Sequence, residues 1–231
     1  MKRLFTPLRL RGMTLRNRIA VSPMQQYIST STLATDWHMV HLGSRAVGGA
    51  GLIIAESSAV LPEGRATSFD TGLWNIEQME SWIPIVRFVQ DQGAKIGIQL
   101  GHFGSKGRRT HPEDGFQSMP PSEGGWQTIS SSAVPPMPGM PIPRELSIKE
   151  IHEILDAFVL AAQKAIAAGF DTIEIHGAHG YLAHQFYSAL INQRVDEYGG
   201  SFENRIRFLV ETAQKIRRSL PSAMPLLVRI S

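Results

Sequence analysis

The sequence predicts an α/β fold, a (β/α)8 TIM barrel truncated to about five strands in this chain. Two observations carry that expectation. Short apolar runs bounded by turn residues alternate with amphipathic helical stretches, which indicates βαβ units around a parallel sheet. Polar and aromatic residues follow the ends of those runs directly, and the C-terminal ends of several strands are where a barrel assembles its site. An open doubly wound sheet would satisfy the alternation too, but no run here is followed by G-x-G-x-x-G.

The first strand is expected over Arg18 to Ser22 and runs into Pro23-Met24-Gln25-Gln26-Tyr27. A helix over Asp36 to Val47 leads to a second strand, Leu52 to Ala55, followed by Glu56-Ser57-Ser58-Ala59. A helix over Glu77 to Gln92 leads to a third, Lys95 to Leu100, followed by Gly101-His102. The segment from Phe103 to Glu145 is then rich in Pro, Gly and Ser, with five prolines between Ala133 and Pro143. A loop of this length in a compact domain is functional or disordered. It is expected to form an irregular, partly hairpin-like cover over the site, with a floppy linker as the alternative.

The clearest helix runs from Ser147 to Ala168, where Ser147 and Glu150 make a capping box. Ile151, Ile154, Leu155, Phe158 and Ala162 form its apolar face and Gly169 stops it. The fourth strand, Thr172 to His176, is followed by Gly177-Ala178-His179 and a short helix. A helix over Glu203 to Leu220 precedes the fifth strand, Leu226 to Ile230. Residues 1–231 are thus expected to form a single domain, with Ile19, Val21, Ile53, Ile96, Ile98, Ile173, Ile175 and Val228 on the inner face of the barrel.

Composition bounds the chemistry. Of 231 residues, 42% are hydrophobic and 19% charged, as in a globular domain and unlike disordered, collagenous or coiled-coil chains. The formal charge of +3 is spread out, and the densest groups, Arg9 to Arg18, Arg108/Arg109 and Arg217/Arg218, accompany no recognition motif. A solvated surface is expected, with no nucleic-acid partner. No apolar run approaches the roughly 20 residues that span a bilayer, and the start lacks a signal peptide, so the expectation is a cytoplasmic protein without a membrane partner. The absence of cysteine excludes a disulfide scaffold, a thiolate zinc site and a cysteine nucleophile in this chain.

The strongest local signal is Ile173-Glu-Ile-His-Gly-Ala-His-Gly-Tyr-Leu182, which places His176, His179 and Tyr181 together at a strand end. Two imidazoles can donate hydrogen bonds to one oxygen, and a nearby phenol can deliver a proton. Two other readings stand beside this one. A metal pair would lack the spacing and embedded glutamate of a helical zinc site. Satisfied core histidines would carry no chemistry at all. His38 and His41 lie in a helical pattern and are read as structural. The polar stretch from Asn192 to Arg205 suits fixing a loop and capping the helix that follows.

Taken together, these blocks resemble the old yellow enzyme family of flavin-dependent ene-reductases, specifically its thermophilic-like bacterial branch. The resemblance runs from Leu4 to Ser231. It is carried by Leu4-Phe-Thr-Pro-Leu8, Leu15-Arg-Asn-Arg18, Ser22-Pro-Met24, Arg45-Ala-Val-Gly-Gly49, Ile98-Gln-Leu-Gly-His102, Pro143-Arg-Glu-Leu146, the His176 to Tyr181 block, and Asp196-Glu-Tyr-Gly-Gly-Ser201 with Glu203-Asn-Arg205. It implies an FMN-containing barrel in which NADPH or NADH reduces the flavin, and the flavin passes hydride from N5 to the activated C=C of an α,β-unsaturated carbonyl or nitro compound. By resemblance, His176 and His179 hold the substrate oxygen, Tyr181 protonates the α-carbon and Tyr27 adds a hydrogen bond to the substrate.

For the flavin, the resemblance implies Pro23 and Met24 against the ring system, Ala59 beside O4, Gln99 at the pyrimidine edge and Arg229 near N1 and O2. One departure stands beside the ring, where Gln25 replaces the usual cysteine or threonine. The other is length: three strand–helix units are unaccounted for, including the loops after strands seven and eight that commonly hold a barrel's phosphate. The expectation is therefore a fragment of a longer protein or a truncated gene product. A non-catalytic remnant needing a partner chain, or a dienoyl-CoA-reductase-like flavoenzyme, are the alternatives. A homo-oligomer of the full-length protein is left open.

Overall fold

The computed structural model describes residues 3–231. In chain order the elements are β1 (Leu8–Leu10), β2 (Met13–Leu15), β3 (Ala20–Val21), α1 (Asp36–Val47), β4 (Leu52–Ala59), α2 (Ile76–Asp91), β5 (Lys95–Gly101), β6 (Ile129–Ser130), β7 (Arg144–Glu145), α3 (Ile148–Ala167), β8 (Thr172–His176), α4 (Leu182–Tyr187), α5 (Phe202–Ser219) and β9 (Leu226–Arg229). Five of the strands form one parallel sheet in the order β3-β4-β5-β8-β9. That order never reverses. Right-handed crossovers that always step the same way put every helix on one face, and this is the winding of a (β/α)8 barrel rather than of a doubly wound sheet with a switch point. The chain thus holds a five-strand part of such a barrel.

Local chemistry sets the element ends. The capping box of α3 is present: Glu150 N–H donates to Ser147 Oγ at 3.3 Å, and Ser147 N–H to Glu150 Oε2 at 2.9 Å. Asn75 caps α2 by accepting from Gln78 N–H at 2.8 Å. The first barrel strand is shorter than its apolar run and the second longer, because β4 continues through a bulge between Ala55 and Ser57. The hairpin β1–β2 was not foreseen as strands. It turns at Arg11, whose φ is 52°, and Gly12.

The two faces of the sheet correct one expectation. Ile53, Ile96, Ile98, Ile173 and Ile175 are fully buried, but in one cluster with Trp82, Val86, Ile151 and Phe158 of the helices, so they face outward rather than into the barrel. Ile19 and Val21 pack partly against the same cluster, and Val228 is exposed. A strand buried on both sides reads as a continuous apolar run, so hydropathy alone could not tell its faces apart. The inner face carries Leu52, Ile54 and Leu227 at its N-terminal end, where Met13 and Leu15 of the hairpin cover them. Toward the C-terminal end it turns polar.

Between β5 and α3 the chain is neither featureless nor simply a hairpin. It holds short 3-10 turns, an antiparallel bridge between Arg109 and Ser118, and the parallel pair β6–β7. Among the described residues no helix is long and apolar enough to cross a membrane.

Candidate functional site

The inner face opens at the C-terminal strand ends into a polar cavity of about 190 Å³. Register brings its residues together. Gln99 pairs with Glu174 across β5 and β8, and His176 with Arg229 across β8 and β9, so these four side chains share the inward face. A larger cavity of about 480 Å³ lies between α5 and Leu226 on the opposite side, lined by Arg11, Val210, Ala213 and Arg217. It holds cations and apolar carbons but no acid or base, so the chemistry favours the smaller one.

His176 ends β8 and is buried. Its Nδ1 lies 3.2 Å from the backbone N–H of Ala178. A backbone N–H can only donate, so Nδ1 is bare and the neutral ring carries its proton on Nε2. Burial, reinforced by His179 and Arg229, holds the pKa down at about 3, so that Nε2–H is a neutral donor at physiological pH. The pKa of His179 is lowered too, first by burial, then by Arg229 and Lys106.

The loop after β8 is shaped for this. His179 has a φ of 60°, and Lys106 Nζ donates to its carbonyl at 2.8 Å. Gly177 donates to the Arg229 carbonyl at 2.9 Å, and a Cβ there would sit 2.8 Å from the same oxygen. The result is a compact group of rings: centroids lie 5.0 Å apart for His176 and His179, 4.9 Å for His176 and Tyr181, and 6.1 Å for His179 and Tyr181.

Tyr181 packs on Phe103 at 4.1 Å, and its pKa is raised first by burial and then by Asp70. The phenol therefore keeps its proton at neutral pH and can give it up only to a stronger base. Tyr27 enters from the loop after β3 with a φ of 53°. Its ring stands edge-on to Phe116 at 5.7 Å, and its carbonyl lies 3.0 Å from His111 Nε2. Burial and then Asp70 raise its pKa strongly as well.

On the cavity floor, Gln99 Nε2 donates to Glu174 Oε1 at 2.6 Å, which leaves the amide oxygen as the free end. Burial raises the pKa of Glu174, while Gln99 and Arg229 oppose the rise. Gln25 Nε2 and Ser57 Oγ are buried, belong to residues lining the cavity, and have no hydrogen-bond partner among the described residues.

The structure thus gathers Pro23, Gln25, Tyr27, Gln99, His176, His179, Tyr181 and Arg229 around one cavity. Met24 and Ala59 are not part of its lining. Met24 is largely exposed, and Ala59 is fully buried with its N–H on Thr71 O and its carbonyl on Leu73 N–H, both at 2.9 Å. Ser57, carried inward by the β4 bulge, lines the cavity instead. Ser57, Phe103 and Glu174 were not singled out from the sequence. A bulge leaves no mark on hydropathy, and an inward glutamate within an apolar strand reads only as an irregularity. His38 and His41 lie outside the cavity, buried along α1.

The comparisons with known proteins agree with this fold. Residues 3–231 match the model of the NADH:flavin oxidoreductase / NADH oxidase family. An NADH:flavin oxidoreductase of Gibberella zeae is 45% identical over 99% of this chain and 56% of its own length. The NADPH dehydrogenase of Bacillus subtilis is 44% identical over 100% of this chain and 64% of its own. Among solved structures, morphinone reductase in complex with tetrahydroNAD superposes with a TM-score of 0.87 at 30% identity, covering 98% of this chain and 63% of that one. The old yellow enzyme homologue of Zymomonas mobilis gives 0.85 at 32% identity, over 98% and 62%. The fold and site define a flavin-oxidoreductase barrel, and the chain belongs to the NADH:flavin oxidoreductase / NADH oxidase family. FMN and a nicotinamide dinucleotide are the cofactors of that family. The chain spans less than two thirds of the length of these relatives.

Proposed function

We propose that the protein reduces the activated C=C of α,β-unsaturated carbonyl or nitro compounds, using FMN and NADPH or NADH. The observation that carries this reading is the convergence of His176 Nε2–H, His179 and the Tyr181 phenol on one cavity beside Gln99 and Arg229. The donor set suits a flavin's pyrimidine edge. That edge offers carbonyl oxygens and one N–H, and it would meet the unpartnered Gln25 Nε2 and Ser57 Oγ, the Arg229 cation and the free oxygen of Gln99. Pro23 would bound the ring system on the β3 side. Ser57, which lines the cavity, joins Ala59 in this assignment.

FMN, when bound, supplies hydride taken from the nicotinamide and given to the β-carbon. His176 and His179 hold the carbonyl or nitro oxygen of the alkene and stabilise the negative charge that develops there. Because burial keeps His176 neutral, it acts as a fixed dipolar donor. Tyr181 gives its proton to the α-carbon, and Tyr27 adds a hydrogen bond from the opposite wall. Residues 103–145 act as a lid over the site, an assignment supported by Phe103 against Tyr181 and by His111 and Phe116 against Tyr27. The protein would work in the cytoplasm on small molecules.

The test is reconstitution of the full-length protein with FMN followed by NADPH oxidation in the presence of 2-cyclohexenone or a maleimide. Turnover that depends on the acceptor is expected. A protein that binds FMN yet leaves such alkenes unreduced would overturn the reading.

A further inference from the structure

Few backbone N–H groups hold the loop that carries Gln25 and Tyr27. From Pro23 to Ile28, Gln26 is the one residue whose backbone N–H has a partner among the described residues, and that partner is the Glu56 carboxylate. Glu56 lies at the β4 bulge, between Ala55, which pairs with Ile98, and Ser57, which pairs with Gln99. Its side chain is buried, and its other oxygen lies 2.8 Å from His38 Nε2.

The direction of that second contact can be worked out. His38 Nδ1 lies 2.9 Å from the backbone N–H of Thr35, which can only donate, so the neutral ring bears its proton on Nε2 and donates to Glu56. Two donors therefore converge on residue 56 from different elements, one from the site loop and one from α1. A side chain that accepts on both oxygens satisfies them together. The Gln26 side chain reinforces the link to α1, since its Oε1 accepts from Trp37 Nε1 at 2.9 Å.

We propose that Glu56 and His38 form a positioning pair. The pair fixes Gln26, and through it sets Gln25 and Tyr27 on either side of Gln26 in the cavity. The consequence for substrate rests on the function proposed above, and the bonding of the pair does not. Glu56→Gln keeps size but presents an amide NH2 to one of two donors. His38→Gln in the same chain supplies an acceptor that the new NH2 can use, so the double variant restores a complementary chain of hydrogen bonds.

The experiment uses the full-length protein and measures amide hydrogen exchange at Gln26 in wild type, Glu56→Gln and Glu56→Gln/His38→Gln, together with KM and kcat for 2-cyclohexenone in the FMN-loaded form. Protection of the Gln26 amide is expected to fall at least about tenfold in the single variant and to return in the double variant. KM should rise and recover in parallel. Unchanged Gln26 protection in Glu56→Gln would overturn the pair. Should that variant fail to fold, 15N NMR of wild-type His38 decides: Nε2 protonated and Nδ1 bare is expected, and the reverse tautomer overturns the proposal. A wild-type protein inert toward enones would count against the function alone, because exchange and tautomer are read without substrate.

Discussion

His176 shows how much one hydrogen bond decides. The contact of its Nδ1 with Ala178 N–H selects the tautomer, and burial keeps the ring uncharged, so the side chain presents a single donor to the cavity. Replacing His176 or His179 by Ala is expected to lower alkene turnover by roughly 2–4 kcal/mol in activation free energy, as when one donor to a developing oxyanion is lost. Stopped-flow measurement of the two half-reactions checks this, with the loss expected in alkene reduction rather than in reduction of the flavin.

The same depressed pKa has a consequence for stability. A histidine at about 6.5 in the unfolded chain and about 3 in the folded one leaves the unfolded chain binding more protons between those values. Its stabilising contribution is therefore complete above pH 6.5 and is lost as pH falls toward 3. His176→Asn should remove this dependence, flattening the loss between pH 7 and pH 5 by up to about 2 kcal/mol. Urea midpoints at the two pH values measure it.

At the scale of elements, close packing between strands matters more than propensity. Gly97 faces Thr172 across the β5–β8 ladder, and a Cβ there would lie 2.6 Å from Thr172 Cγ2 with the Thr172 carbonyl behind it at 3.2 Å. Gly97→Ala is expected to wedge the strands apart next to the Gln99–Glu174 pair at a cost of about 1–3 kcal/mol. The helices are held by their ends as well as their faces. Ser147→Ala removes the acceptor for Glu150 N–H and should cost about 1 kcal/mol, read from the denaturation midpoint. That cap was legible in the sequence because a capping box is a local spacing. The Glu56–His38 pair was not, since its members lie 18 residues apart and meet only through a bulge.

For the molecule as a whole, the two outer strands decide behaviour. Among the described residues β3 pairs only with β4, and β9 only with β8. Val228 and Ile230 are exposed along the β9 side. Unpaired edges with apolar side chains invite association, and at about 25 cal/mol per Å² a few hundred Å² uncovered rivals the net stability of a domain. Expressed as these 231 residues alone, the chain is expected to self-associate and to retain little FMN. Size-exclusion chromatography with flavin absorbance tests this, and a monomer carrying one FMN would contradict it.

What the sequence determined by itself is the order of the five barrel strands and their main helices, the parallel α/β class and the His176–His179–Tyr181 cluster. Each rests on neighbours a few residues apart: alternating runs, caps, and polar residues at a strand end. Tertiary structure alone decided which face of each strand looks inward, that the β1–β2 hairpin covers Leu52, Ile54 and Leu227, and that Ser57 lines the cavity. The physical reason is shared by all three. A strand buried on both sides gives no hydropathic contrast between its faces, and one extra residue in β4 re-aims every side chain after it, so inside and outside are settled only when the strands pair.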